Sequence, residues 1–335
     1  MEERSHEHSS KSTYISKFRE LGMLFTIIII SLLVQMRNSN FLTLENINDM
    51  LTNTAILSIL AVGMMLVIIT RGIDLSIGAT LALSGMISAL TVATYQNLNP
   101  ILTILLGMGI GTVCGSIVGL LVSKGAVLPI IASLGMMNVY RGLTFIISGG
   151  KWVSSYQMTE QFKGIATGRI LGINTLIFIA IIIYVISFYF INYTRTGRQI
   201  YAVGSNPESA KISGINNEKI LFLVYVIMGA LAGLAGVLWV SKFASAQGDT
   251  AMGYEMSVIA ACVLGGVSVA GGSGKISGLI MGSILLGILQ NALPLIMVSP
   301  FWQQAIQGVI ILAAVLLNTY VKRRVDKNNL LRRKI

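Results

Sequence analysis

Apolar residues in this chain run in long unbroken blocks. They do not form the i, i+3, i+4 stripes of a surface helix or the alternation of a half-buried strand. Ten blocks stand out, at about 21–36, 55–70, 77–93, 101–122, 126–147, 174–191, 220–240, 256–269, 276–297 and 305–320. A helix needs about 20 apolar residues to cross the hydrocarbon core. Continuous rather than alternating blocks favour helices over a barrel. The pattern therefore predicts an all-α integral membrane protein of about ten transmembrane helices. The eighth block, 256–269, is short and predicts a helix spanning only part of the core. One polar insert interrupts the series, "TRTGRQIYAVGSNPESAKISGINNEK" at 194–219.

Composition agrees with this pattern. The 335 residues are 54% hydrophobic and 11% charged, against about 25% charged in soluble domains. The net charge of +11 is explained by topology. With the N-terminus in the cytoplasm, eighteen of the 24 Lys and Arg fall in cytoplasmic segments, five in outer segments and Arg141 within a span. Dropping the eighth block would put the basic tail outside, so the block is kept and both termini are cytoplasmic. The expected organisation is a cytoplasmic N-terminal tail (1–20), a transmembrane domain (21–320) and a basic cytoplasmic tail (321–335). No nucleic acid is needed to explain the charge. The C-terminal tail reads as a stop-transfer anchor or as a contact for anionic membrane lipid. The first block lacks a small-residue cleavage site and reads as an uncleaved span. Cys114 and Cys262 lie in apolar blocks without metal spacing, so they read as buried small residues. His6 and His8 read as part of a disordered tail rather than a metal site.

Glycine adds a packing prediction. Gly107, Gly111, Gly115 and Gly119 recur every four residues, as do Gly229 with Gly233 and Gly278 with Gly282. At helical periodicity each set forms one face, and small faces let helix backbones approach closely in lipid. The bundle is expected to be tightly packed.

Chemistry-bearing residues are few. The spans hold no metal cluster, paired carboxylates or Ser-His-Asp set, which argues against an enzyme. Arg141 is the only charged residue well inside a block, and Asp74 sits at a mouth. The absence of a carboxylate or histidine relay weakens ion-coupled transport, although a Na⁺ site of carbonyls and hydroxyls would escape this test. The phosphate-cradling pattern fails at Val269 and Ile276, the positions that require Gly and Ser or Thr around Gly274–Lys275. Any ATP-driven motor must then be a separate subunit, and it needs a docking surface. The polar insert offers one. Asn206 suits an N-cap, Pro207 the first helical position, Glu208 the positive helix start and Gly214 a left-handed stop. The pattern reads either as a short surface helix offered to a partner or as an ordinary inter-helix loop.

At these residues a resemblance emerges. "GRQIYAVGSNPESAKISGI" resembles the cytoplasmic coupling loop of bacterial ABC importer permeases of the ribose-type sugar family. "GIDLSIGATLALSG" (72–85) and "YEMSVIAACVLGGVSVAGGSGKISG" (254–278) are similar to two further motifs of that family. The resemblance covers about residues 51–317 and implies that the transmembrane domain (21–320) is a permease domain with its coupling loop at 194–219. It implies about ten spans, a bacterial inner (cytoplasmic) membrane location and pairing with a second permease subunit as homodimer or heterodimer. It also implies an ABC ATP-binding subunit on the inside and an extracytoplasmic solute-binding protein that delivers sugar. ATP is then bound by the partner, and the chain itself needs no cofactor. Gly204, Asn206, Pro207, Glu208, Ala210, Ser213 and Gly214 become the coupling residues. Arg71 departs from the family pattern, standing where many members have a second glycine.

Within the spans, Asn138, Arg141, Gln290 and Asn291 are candidates for a translocation pathway, or else interhelical hydrogen-bonding groups. Arg71 and Asp74 mark the family-motif mouth, and Asp74 reads as a local cap or a ligand contact. Two other functions stay open: an ion-coupled secondary transporter and a non-transport membrane assembly protein.

Overall fold

The computed structural model describes residues 21–299, 301–303, 305, 306, 308, 309, 312 and 316. The expectations for the tails 1–20 and 321–335, including His6 and His8, lie outside them. The described residues are mostly helical, built from α1 (Leu21–Arg37), α2 (Leu44–Ile69), α3 (Ile77–Thr94), α4 (Pro100–Ser123), α5 (Pro129–Ser148) and α6 (Glu160–Thr167). It continues with α7 (Thr175–Tyr193), α8 (Arg195–Ser205), α9 (Pro207–Ile212), α10 (Asn217–Phe243), α11 (Tyr254–Leu264) and α12 (Ile276–Leu295). Among the described residues seven helices are long and apolar enough to cross a membrane: α2, α3, α4, α5, α7, α10 and α12. α1 and α11 are shorter apolar helices. The described positions between 305 and 316 are helical too.

Local chemistry explains most boundaries. Asn99, Asn174 and Asn216 cap α4, α7 and α10 by accepting a backbone N–H. α2 begins well before the apolar block at 55–70. Its polar first turns are helical because Thr43 caps them and Glu45 sits in the first turn. α11 is the opposite case. The block 256–269 stays helical only to Leu264, where a glycine-rich segment with Gly266, Gly271 and Gly272 at positive φ takes over. Between α5 and α7 lie α6 and a two-residue-strand hairpin, Arg169–Ile170 with Ile173–Asn174.

α2 touches α7, α8, α10, α11 and α12, and α10 touches α2, α3, α4, α6, α8 and α9, so these two helices centre the bundle. The glycine faces meet as pairs. Gly111 lies against the Gly229 carbonyl and Gly233, Gly115 against Gly229 and the Tyr225 carbonyl, and Gly107 against Gly233. A Cβ at Gly111 or Gly115 would collide with backbone of the opposing helix, and one at Gly107 with the Val237 side chain. Gly119 continues the seam more loosely beside Phe222 and Tyr225, while Gly278 and Gly282 pack on Gly265 and Ala261. Cys114 and Cys262 are buried free thiols. α5 and α7 turn most of their apolar side chains outward, as lipid-facing helices do.

Loops gather at two ends, separated along α2 by roughly 35 Å at 1.5 Å per residue. At one end Asn46 pairs with Asn291, Lys242 with Asn53, and Val153 with Ala246. At the other, the end of α2 meets α8 and the segment 265–275.

Candidate functional site

The polar insert 194–219 folds as two helices, α8 and α9, where the sequence suggested one. Thr194 caps α8 by accepting from Gly197 N at 3.0 Å. Asn206 then breaks the helix in an extended conformation and caps α9 by accepting from Ser209 N at 3.0 Å. Pro207 occupies the first position and Glu208 the first turn. Gly214, at φ 79°, takes the left-handed stop, and the Ile215 N–H closes back on the Ala210 carbonyl at 3.0 Å.

The insert is divided between a seat and a free face. Ile200, Val203 and Gly204 are buried against the bundle. Gly204 lies so close to the Ile69 carbonyl that no side chain fits. Ala210, expected to contact a partner, is only 4% exposed. Its methyl packs against its own chain. Asn206, Glu208, Ser213 and Gly214 are exposed. So is Ile212, at 88%, an apolar tip that the sequence reading passed over although it stands alone in a polar segment.

Arg71 ties this insert to α2. Its Nε donates to the Gly204 carbonyl at 2.6 Å and its Nη2 to the Ser205 carbonyl at 2.5 Å. These are last-turn carbonyls of α8, so a cation satisfies the negative helix end. Arg71 itself sits at φ 66°, an unusual conformation for a side-chain-bearing residue. The segment 265–275 completes the clamp. Gly272 N donates to the Ile69 carbonyl at 2.9 Å, and the Tyr201 hydroxyl donates to the Gly274 carbonyl at 2.6 Å. Burial pushes the Tyr201 hydroxyl up to about 12, so it stays a proton donor.

Asp74 lies just beyond. It is buried and accepts from Ser76 N at 2.8 Å and Ser76 Oγ at 2.6 Å. This is a local turn at the start of α3. Burial raises its carboxyl above the usual range, opposed by the two Ser76 bonds.

The candidate pathway residues separate into two groups. Asn138 is exposed on α5, and its amide donates to the Leu134 carbonyl of its own helix at 3.0 Å. Arg141 donates from Nη1 to the Gly248 and Thr250 carbonyls at 2.8 and 2.7 Å, pinning the segment that joins α10 to α11. Gln290 and Asn291 instead line a cavity of about 250 Å³ between α2, α10, α11 and α12. Asn291 is held by reciprocal amide bonds with Asn46, both 3.1 Å. Trp239, Phe243 and Tyr254 form one wall, with ring centroids 4.9 and 5.1 Å from Trp239. Lys242 stands beside them, donating to Asn53 Oδ1 at 2.6 Å and to the Thr52 carbonyl at 3.3 Å. The aromatic wall escaped the sequence reading because it forms only where Trp239 and Phe243 of α10 meet Tyr254 of α11.

The family model described as "Branched-chain amino acid transport system / permease component" matches residues 46–315. The chain is 39% identical to a ribose import permease protein of Escherichia coli over 89% of this chain and 93% of that one. A ribose import permease protein of Bacillus subtilis is also 39% identical, with 89% and 91% covered. A galactose/methyl galactoside import permease protein of Escherichia coli is 31% identical, with 92% and 97% covered. No solved structure matches.

Proposed function

Because the chain belongs to the branched-chain amino acid transport system permease family, we propose that it is the membrane-spanning subunit of an ATP-driven importer of a monosaccharide. Relatives named for ribose, arabinose, allose and galactose support the solute class. The chain is a transport subunit rather than an enzyme. ATP is bound and hydrolysed by a separate ABC subunit, so the chain carries no cofactor. An extracytoplasmic binding protein delivers the sugar, and a second permease, identical or related, completes the membrane unit. The assembly sits in the bacterial cytoplasmic membrane, with about ten spans and both termini inside.

The observation that carries this reading is the clamped insert. α9 offers Asn206, Glu208, Ile212 and Ser213 on a free face, while Gly204 and Ala210 seat the insert on the bundle. A helix of two turns has little stability alone in water, so its position depends on what it packs against. A partner that pushes on the free face acts through Arg71 and Gly272 on the end of α2. α2 touches α7, α8, α10, α11 and α12, so its displacement reshapes the bundle. ATP drives the change only to the extent that it binds the two arrangements of the assembly differently.

Site-directed cross-linking tests the docking assignment. Both native cysteines are buried, so Glu208→Cys places one accessible thiol on α9. It is expected to cross-link to the ATP-binding subunit and to react with a thiol reagent added from the cytoplasmic side. Labelling only from outside overturns the assignment.

A further inference from the structure

The cavity at the end opposite the Arg71 clamp has a composition that packing alone does not require. Resting on the importer reading, we propose that it is a monosaccharide subsite within the single chain, with Trp239 as stacking platform and Gln290 as principal hydrogen-bonding group.

Its size fits one small molecule. The volume is about 250 Å³, below the roughly 300–1,000 Å³ typical of drug-sized ligands. The floor is set by a close approach of helices. A Cβ at Gly287 would strike the side chain of Thr54, so α12 meets α2 there and the space opens only above.

The walls match the two faces of a sugar. Trp239 is tilted against Phe243 and edge-on to Tyr254, giving one rigid aromatic surface. The negative ring face attracts polarised C–H groups of a sugar ring. The remaining wall is polar and under-used. No hydrogen bond reaches the Gln290 amide from any described residue, although Gln290 is half-buried in an apolar helix. Its two donors and one acceptor oxygen remain available, and a half-buried amide calls for a partner. Lys242 makes two hydrogen bonds with its three donors, and Asn53 Oδ1 is engaged by Lys242 while its amide donors remain. Hydroxyls, which accept and donate at one atom, suit that mixture. Asn291, already paired with Asn46, acts as a brace.

The test uses the purified full chain in lipid nanodiscs, without ATP-binding subunit or binding protein. Radiolabelled D-ribose and D-galactose are titrated in equilibrium binding, with D-galacturonate as an anionic competitor. Saturable binding of at least one neutral sugar is expected, weakened tenfold or more in Gln290→Leu and in Trp239→Ala. Trp239→Phe keeps a flat ring and is expected to retain most of the affinity, which separates lost stacking from lost folding. No saturable binding overturns the subsite. So does unchanged affinity in Gln290→Leu, or tighter binding of galacturonate than of either neutral sugar. If ATP-driven uptake by the full complex persists in any of those cases, the importer reading stands and only the subsite falls. If the complex moves no neutral sugar, the importer reading itself fails.

Discussion

Arg71 and Gly204 lie 133 positions apart in sequence and are joined by a 2.6 Å hydrogen bond from Nε to the carbonyl. The second guanidinium nitrogen reaches the Ser205 carbonyl. A planar fork satisfies two carbonyls at the end of one helix, which an ammonium does not do in the same geometry. Hydrogen bonds from a charged donor contribute about 1.5–3 kcal/mol each where water is excluded, and less here because Arg71 is exposed. Arg71→Lys is expected to lower ATP-driven uptake several-fold while ATP hydrolysis by the complex continues. Arg71→Gly removes the positive-φ strain of roughly 1–2 kcal/mol and also removes the clamp. It is expected to fold as well as the parent and to be the more uncoupled of the two. Coupled uptake and ATPase assays in proteoliposomes read both effects.

The free face of α9 and its seat respond differently to charge. Glu208→Arg and Ile212→Asp alter exposed positions, so they are expected to leave membrane insertion intact and to reduce uptake at least fivefold. Ala210→Asp buries a carboxylate at a 4%-exposed site. It is expected to displace α9 and lower stability by about 2–4 kcal/mol. Thermal unfolding followed by size-exclusion chromatography separates the two classes.

Gly111 and Gly109 make a matched pair on one helix. An added Cβ at Gly111 meets backbone of Gly229 and Gly233, whereas at Gly109 it meets nothing within 4 Å. Gly111→Ala is expected to force α4 and α10 apart and to abolish recovery of monodisperse protein. Gly109→Ala is expected to leave yield unchanged or slightly improved, since alanine favours helix by about 1 kcal/mol.

Asp74 supplies a pH prediction. Its carboxyl is raised by burial, so the folded protein holds this proton more tightly than the unfolded chain does. The associated stability is complete below the ordinary carboxylate range and is lost as pH rises through the raised value. Asp74→Asn keeps an Oδ1 acceptor for Ser76 and removes the ionisation. Its thermal stability is expected to fall less than the parent's as pH rises from about 4 to 8.

The sequence made some of these features legible and concealed others. The α9 caps at Asn206 and Gly214 were readable because a cap depends on a few adjacent residues. The glycine seam was readable as a stripe on α4 and a pair on α10, but not as a contact between them, because spacing does not name a partner face. The early start of α2 was hidden, since hydropathy marks where lipid begins and Thr43 marks where the helix begins. The burial of Ala210 depends on which side of a two-turn helix meets the bundle, a tertiary fact. The cavity was half visible. Gln290 and Asn291 stood out as polar residues in an apolar block, while Trp239 and Tyr254 acquire meaning only where α10 and α11 converge.

The central claim is that an external ATP-burning subunit drives this bundle through α9. Proteoliposomes containing the chain, its ATP-binding subunit and its binding protein, loaded with ATP and supplied with labelled ribose or galactose outside, test it most directly. The account predicts sugar accumulation that requires internal ATP, survives ionophores that collapse ion gradients, and is lost with Glu208→Arg. Accumulation by this chain alone under an imposed ion gradient, without ATP or the ATP-binding subunit, would contradict it.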